Sequence, residues 1–393
     1  MQICKDPLLC TGCGACAARC PGKCITMTED AEGFFYPRVD ESACLHCGSC
    51  VKVCPVNGAP ALRNPCTDER CYAFQNTDRA VLAESSSGGF FTAAASTVLA
   101  GGGAVYAAVM DSLAHVRHVR ITDEAGLAPA RKSKYMQSEA WGVYASVRED
   151  LRAGREVLFV GTPCQVAAVR SFCGESDSLL TIDLMCHGVA SGRVVRCYLD
   201  ALARRYNSPV QSLQFRHKMN RGGVIMRALF ADGTEYTANS LEDPFMRGFN
   251  KNLFLRRSCT SCPFAGAART GDLTIGDFWG LGIMSPTALK TGKGVNFLRV
   301  NTPRGEAALA RIRAAQAPIL EEHRLIEARL RNRTLTRPMK LTDRRRVFFE
   351  KLDSVPFEEL VASLTADYEA ERKRADLRDR IIRKAIKIMK GRK

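Results

Sequence analysis

Cys10-x2-Cys13-x2-Cys16-x3-Cys20-Pro21 and Cys44-x2-Cys47-x2-Cys50-x3-Cys54-Pro55 fall within the first 55 residues of this 393-residue chain. Thiolates at that spacing hold iron-sulfur clusters. A 4Fe-4S cube needs four converging thiolates, and the short spacings let three successive cysteines wrap one corner of it. In two-cluster ferredoxins the cysteine before proline serves the other cluster. That rule groups Cys10, Cys13 and Cys16 with Cys54, and Cys44, Cys47 and Cys50 with Cys20. Zinc sites also use Cys-x2-Cys pairs but close at four ligands, so a repeated triplet followed by Cys-Pro does not suit zinc. Cys4 and Cys24 fall outside the pattern and read as packing residues. The chemistry implied is single-electron transfer.

Four further cysteines carry a weaker signal. Cys164, in Gly161-Thr162-Pro163-Cys164-Gln165, and Cys186, in Met185-Cys186-His187-Gly188, each follow an expected strand end. Cys259-x2-Cys262-Pro263 adds two thiols from an Arg-flanked loop. Spacing alone leaves three readings open: a third cluster, a zinc site, or unrelated core cysteines. Cys197 sits at helical spacing among Val194, Val195, Tyr198 and Leu202, as a small buried hydrophobe would, and Cys173 is likewise a weak candidate.

The elements that must position these residues read as α/β and α+β. A two-cluster ferredoxin-like domain is expected over 1–60, a linker over 61–70 in a stretch where Pro55, Asn57, Gly58, Pro60, Asn64 and Pro65 break any period, a mixed-sheet domain over 71–330, and a basic helical extension over 331–393. Strands are expected at 71–75, 157–160 and 179–184, with helical patterns such as 191–206 between them. A β-rich insertion follows at 212–218 and 224–239, turning at Asp232-Gly233. A strand at 295–300 then leads into a helix from Pro303. In an open α/β sheet, strand ends of this kind face the binding crevice.

Composition narrows the class. The N-terminus has no basic segment followed by an apolar one, so no secretory signal is expected. Cysteines at ligand spacing need a reducing compartment, which points to the cytoplasm. Residues 85–110 carry no charge, but Gly101, Gly102 and Gly103 split them into a helix and a strand rather than a membrane span. The net charge of +16 is concentrated at the end of the chain: residues 370–393 hold eleven Lys or Arg against three Asp or Glu. Bound anions would offset the excess in the body, so nucleic-acid binding is not expected. In the tail Leu377, Ile381, Ala385 and Met389 recur every fourth residue beside Ile382 and Ile386, giving a basic amphipathic helix. It could pack on its own protein, dock a partner or touch a membrane surface.

Six segments in order, SSSGGFF (85–91), KSKYMQS (132–138), FVGTPCQVAAVR (159–170), DLMCHGV (183–189), RRSCTSCPFA (256–265) and DLTIGDFWG (272–280), resemble the coenzyme F-420 hydrogenase/dehydrogenase beta-subunit family. The likeness covers about residues 70–320, and the N-terminal ferredoxin segment is a fusion common in the family's bacterial members. It implies an iron-sulfur flavoprotein that binds FAD and places a third 4Fe-4S cluster on Cys164, Cys186, Cys259 and Cys262. It also admits coenzyme F-420 as a substrate, although no motif names one.

A flavin suits the physics as well, because clusters take one electron at a time and hydride carriers deliver two. Ser86, Ser87, Gly88 and Gly89 open a helix where free N–H groups favour a phosphate, or they form an ordinary N-cap. Lys132, Lys134 and Tyr135 are candidates for phosphate or ring contacts. Gly161, Thr162 and Gln165 flank Cys164, and Asp277 is a candidate for ribityl or ring contact or for a turn cap. His187 is a candidate proton carrier or a locally hydrogen-bonded histidine. The expected function is an oxidoreductase joining a small-molecule hydride donor or acceptor at FAD to a soluble ferredoxin or partner subunit through three clusters. The alternative is a non-catalytic electron-transfer subunit of a larger complex.

Overall fold

The computed structural model describes residues 2–219, 223–371, 373, 374, 377, 380, 381, 384 and 385. At the N-terminus β1 (Ile25–Glu29) and β2 (Phe35–Val39) form an antiparallel pair. Two short helices, Ala15–Arg19 and Ser49–Lys52, carry Cys16 and Cys50 in their first turns. Each helix begins at a glycine in the left-handed region, Gly14 at φ 71° and Gly48 at φ 68°. Only glycine takes that conformation without strain, and it bends each cysteine loop back on itself.

The body follows as β3 (Arg70–Gln75), β4 (Ala104–Ser112), β5 (His115–Ile121), β6 (Ser138–Glu139), β7 (Val157–Gly161) and β8 (Leu179–Leu184). Next come β9 (Val210–Lys218), β10 (Val224–Phe230) and β11 (Glu235–Ala238), then β12 (Leu273–Asp277), β13 (Asn296–Val300) and β14 (Ile319–Arg324). Nine strands make one mixed sheet in the order β14-β3-β13-β12-β8-β7-β4-β5-β6. Its middle, β12, β8, β7 and β4, is parallel. All five residues of β7 are buried, as a strand covered on both faces requires. β9, β10 and β11 form a separate antiparallel sheet, with the hairpin at Asp232-Gly233.

The sequence pattern anticipates eight of these strands, but not β1, β2, β5, β6, β12 or β14. β12 is hidden inside the DLTIGDFWG motif. β14, Ile-Leu-Glu-Glu-His-Arg, is an edge strand whose polar residues give no apolar period.

Residues 85–110 form the helix Phe90–Ala100 followed by β4. Among the described residues no helix is long and apolar enough to cross a membrane. Helix Pro163–Cys173 starts at a capping box in which Thr162 and Gln165 bond each other's backbone, with Pro163 at the first helical position. Its Val166, Val169 and Phe172 share a core with Ile3, Ala15, Val53 and Val56, so the N-terminal segment is packed onto the body. Burying Phe172 alone contributes about 2–3 kcal/mol.

Helices Asp343–Lys351 and Phe357–Leu364 bury Phe348, Leu360 and Val361 in one core with Tyr198 and Phe245. Of the expected amphipathic tail, Leu377 and Ile381 are exposed. Ile382, Ile386 and Met389 lie outside the described residues.

Candidate functional site

Cys10, Cys13, Cys16 and Cys54 line one cavity, and Cys20, Cys44, Cys47 and Cys50 line another. The fourth cysteine of each run therefore stands with the opposite triplet. Cys4 and Cys24 do more than pack at a distance. Cys4 lines the first cavity and Cys24 the second, with Cys24 Sγ 3.4 Å from Cys20 Sγ. Spacing gives no signal for either position.

Cys164, Cys186, Cys259 and Cys262 line a third cavity with Thr162, Arg256 and Arg269. Three separate elements deliver them. Cys164 rides the first turn of the helix after β7, Cys186 follows β8, and Cys259 sits in the single turn Arg257–Ser261 ahead of Cys262. Behind them the buried pair Arg269–Asp183, 3.1 Å apart, ties the loop after Cys262 to the end of β8. Burial pushes all four thiols up, Cys259 to about 12 and Cys262 to about 11, and the neighbouring cysteines push Cys186, Cys259 and Cys262 further. Four crowded thiols of this kind become thiolates when a metal centre displaces their protons.

Arg256 is 1% exposed and has no carboxylate partner among the described residues; it donates only to Cys10 O, Gln137 Oε1 and Phe35 O. A buried cation without a counter-ion fits an anionic cluster at either neighbouring cavity. The donor set and this charge suit a 4Fe-4S group.

A cleft of about 460 Å³ opens across the C-terminal ends of β7, β8 and β12 and the middle of β4, within the size range of cofactor sites. Ser86, Ser87, Gly89, Lys134, Tyr135, Gly161, Thr162, Gln165 and Asp277 line it, as does Lys132. Gly88 does not. A Cβ there would lie 2.2 Å from Phe74 O and 2.7 Å from Asn296 N, so this glycine lets the loop press against β3 and β13.

Lys134 is also occupied differently from the expectation. Its ammonium donates to the carbonyls of Pro129, Ala130 and Arg131 at 2.8–3.0 Å, bracing the end of a helical turn, and burial lowers its pKa to about 7. Lys132 is paired with Glu84 at 2.8 Å. Asp277 caps no turn through its side chain; it pairs with Arg216, which also donates to Tyr135 Oη and Ser86 O.

Arg216 escapes the sequence reading. The available signal is alternation in β9, where Leu213 and Phe215 face the core and Arg216 and Lys218 share the opposite face. Lys218 donates to the carbonyls of Leu82, Ser87 and Lys293, fixing the serine loop. The cleft suits an anionic cofactor. It holds the N-terminus of an eleven-residue helix at Phe90, where first-turn amides lack helical acceptors. Thr92 Oγ1, Arg131 Nε and Arg216 Nε, all in lining residues, are buried without a hydrogen-bond partner among the described residues.

Cleft and third cavity share Thr162, Gln165, Cys186, His187, Gly188 and Val189. Hydrogen bonds cross this wall. His118 Nε2 donates to Val160 O, so its Nδ1 accepts from Ser138 Oγ. Ser138 Oγ accepts from Gln165 Nε2, and Gln165 Oε1 accepts from Thr162 N and Thr162 Oγ1, the latter 3.1 Å from Cys164 Sγ. Burial lowers the His118 pKa to about 4, keeping the ring neutral at physiological pH. His187 bonds Asn252 Oδ1 at 2.8 Å, and burial lowers its pKa too.

Residues 154–324 match the family described as the C terminus of the coenzyme F420 hydrogenase/dehydrogenase beta subunit, and residues 9–58 match the 4Fe-4S dicluster domain. Among solved structures, the chain is similar to a chain of the F420-reducing [NiFe] hydrogenase complex from Methanosarcina barkeri. Identity is 18%, the TM-score is 0.45, and the match covers 74% of this chain and 90% of that one. No curated protein matches. A 4Fe-4S dicluster domain ahead of the matched region, with a mixed α/β body around the cleft, fits the ferredoxin-fused form of the coenzyme F420 hydrogenase/dehydrogenase beta-subunit family.

Proposed function

We propose that the chain is an iron-sulfur flavoprotein oxidoreductase. In this reading electrons pass between a hydride donor or acceptor at the cleft and a one-electron carrier at the second cysteine set. One observation supports it above the others. The cleft shares a wall with the third cavity, and the third cavity shares Thr11 and Cys13 with the first, so these three sites are contiguous, and the interleaved cysteine runs tie the second set to the first.

FAD held in the cleft would accept an electron pair and release it singly, and three 4Fe-4S clusters would carry the electrons onward. The chain's own residues have separate tasks. Ser86, Ser87, Gly89 and the start of helix Phe90–Ala100 would bind the phosphates, with Gly88 fitting the loop to the sheet. Arg216 and Asp277 hold each other and Tyr135 along one side, while Thr162 and Gln165 form the partition in front of Cys164. Lys134 keeps the loop in shape. The substrate class, F-420 or another hydride carrier, stays with the family likeness. Residues 1–60 and 71–330 act in this reading as two cooperating domains of a cytoplasmic protein, with a soluble ferredoxin or partner subunit as the electron carrier.

Anaerobically purified protein should contain about twelve iron, about twelve acid-labile sulfide and one flavin per chain. Eight iron and no flavin would refute the proposal. Screening F-420, nicotinamides and other hydride donors by flavin bleaching would then separate an enzyme from an electron-transfer subunit, which bleaches with none.

A further inference from the structure

We infer that Arg256 is the shared counter-charge of the first and third cysteine sets, and that it raises the reduction potential of both. The inference rests on the three-cluster reading. Arg256 leaves solvent almost completely, and its three nitrogens face neutral acceptors: Nε to Cys10 O, Nη1 to Gln137 Oε1 and Nη2 to Phe35 O, each at 3.0 Å. The Tyr36 ring lies 4.1 Å from the guanidinium carbon and the Phe34 ring 5.5 Å.

Other buried arginines have acids at hand. Arg269 has Asp183, Arg345 has Glu32, and Arg299 lies in the field of Asp68. Arg256 has none among the described residues, and burying a full charge without compensation is costly. The groups it does face are cysteines. It lines the third cavity, bonds the backbone of Cys10, and its charge works against the upward push of burial on the Cys164 and Cys259 thiols. A cluster at each cavity would bring the missing negative charge.

The redox consequence follows from charge balance. One electron enters each cluster and no proton accompanies it, so each reduced cluster carries one more negative charge while Arg256 stays protonated. A fixed cation beside both clusters favours their reduced forms. The second set does not touch Arg256 and should be indifferent to it.

The test is an EPR-monitored redox titration of the holoprotein, with Cys47→Ala used to assign the second set. In Arg256→Gln the reduced-to-oxidised ratio of the first and third clusters at fixed potential should fall about tenfold, a midpoint about 59 mV lower for a one-electron couple. Arg256→Lys keeps the charge but loses hydrogen bonds, so it should lower stability while shifting the potentials far less. Gln137→Glu puts a carboxylate on the same Nη1 and should lower both midpoints in place, which keeps the test decisive if Arg256→Gln does not fold.

Unchanged midpoints in Gln137→Glu, equal shifts in Arg256→Lys and Arg256→Gln, or an equal shift of the second cluster would each overturn the inference. Only two reducible centres in the unsubstituted protein would instead overturn the three-cluster reading, and the inference with it.

Discussion

Gly14 and Gly48 occupy matching places in the two cysteine runs, each starting a short helix at nearly the same φ. A methyl group on Gly14 would lie 2.6 Å from Trp141 Cβ, whereas one on Gly48 would meet nothing within 4 Å. The contrast extends through both sets. Around the first, Tyr144 Oη donates to Cys13 O, Gln137 Nε2 donates to the carbonyls of Thr11 and Gly12, and Arg256 donates to Cys10 O. Around the second, Cys47 is exposed and Leu45 is 67% exposed. Two near-copies of one motif thus have opposite surroundings. The first set is built into the body beside the third cavity, and the second faces outward, as the proposed path would require of its inner and outer stations.

Removing a ligand from each set should break this contrast most sharply. Cys13→Ala and Cys47→Ala should each lose about four iron. Cys13→Ala should cut reduction of the second set from the cleft by 100-fold or more, whereas Cys47→Ala should leave reduction of the first and third sets from the cleft intact, as read by rapid-mixing spectroscopy. Undiminished reduction of the second set in Cys13→Ala, or loss of first-set reduction in Cys47→Ala, would mean that the sets are not in series.

A smaller effect is expected at the glycines. Gly48→Ala should cost about 1–2 kcal/mol from left-handed strain alone. Gly14→Ala should add about 1–3 kcal/mol for the clash with Trp141. Thermal unfolding of the two holoproteins would show the difference, and equal costs would argue against the docked geometry. Smallest of all, Leu45→Ser should leave stability within about 0.5 kcal/mol while slowing reduction of an external ferredoxin. A stability loss comparable to that of Gly14→Ala would place Leu45 in a packed contact rather than on a docking surface.

The sequence exposes the cysteine grouping because ligand geometry imposes a spacing that chance seldom repeats. It is less informative where a residue's role depends on what lies across the fold. Arg256 and Arg216 are two of 57 Lys and Arg, and nothing local marks one as buried between cysteine sets or the other as paired with Asp277. Lys134 looks like an anion ligand because a lysine in a loop shows a charge and not its acceptors, which here are three carbonyls. Gly88 reads as part of a phosphate loop, yet its small size serves the approach to Phe74 and Asn296. Cys4 and Cys24 have no motif, and only the folded chain brings them to the cavity walls. The strands are mostly legible from apolar runs, and β14 is not, because an edge strand buries too little to show a period.

Dipolar coupling in the fully reduced holoprotein tests the proposed series most directly, because it needs no knowledge of the substrate. The EPR signal of the first set should be broadened by both neighbours, losing one interaction in Cys47→Ala and the other in Cys164→Ala, while the second and third sets show no direct coupling. A third set coupled to the second, with the first unaffected by either substitution, would contradict the path.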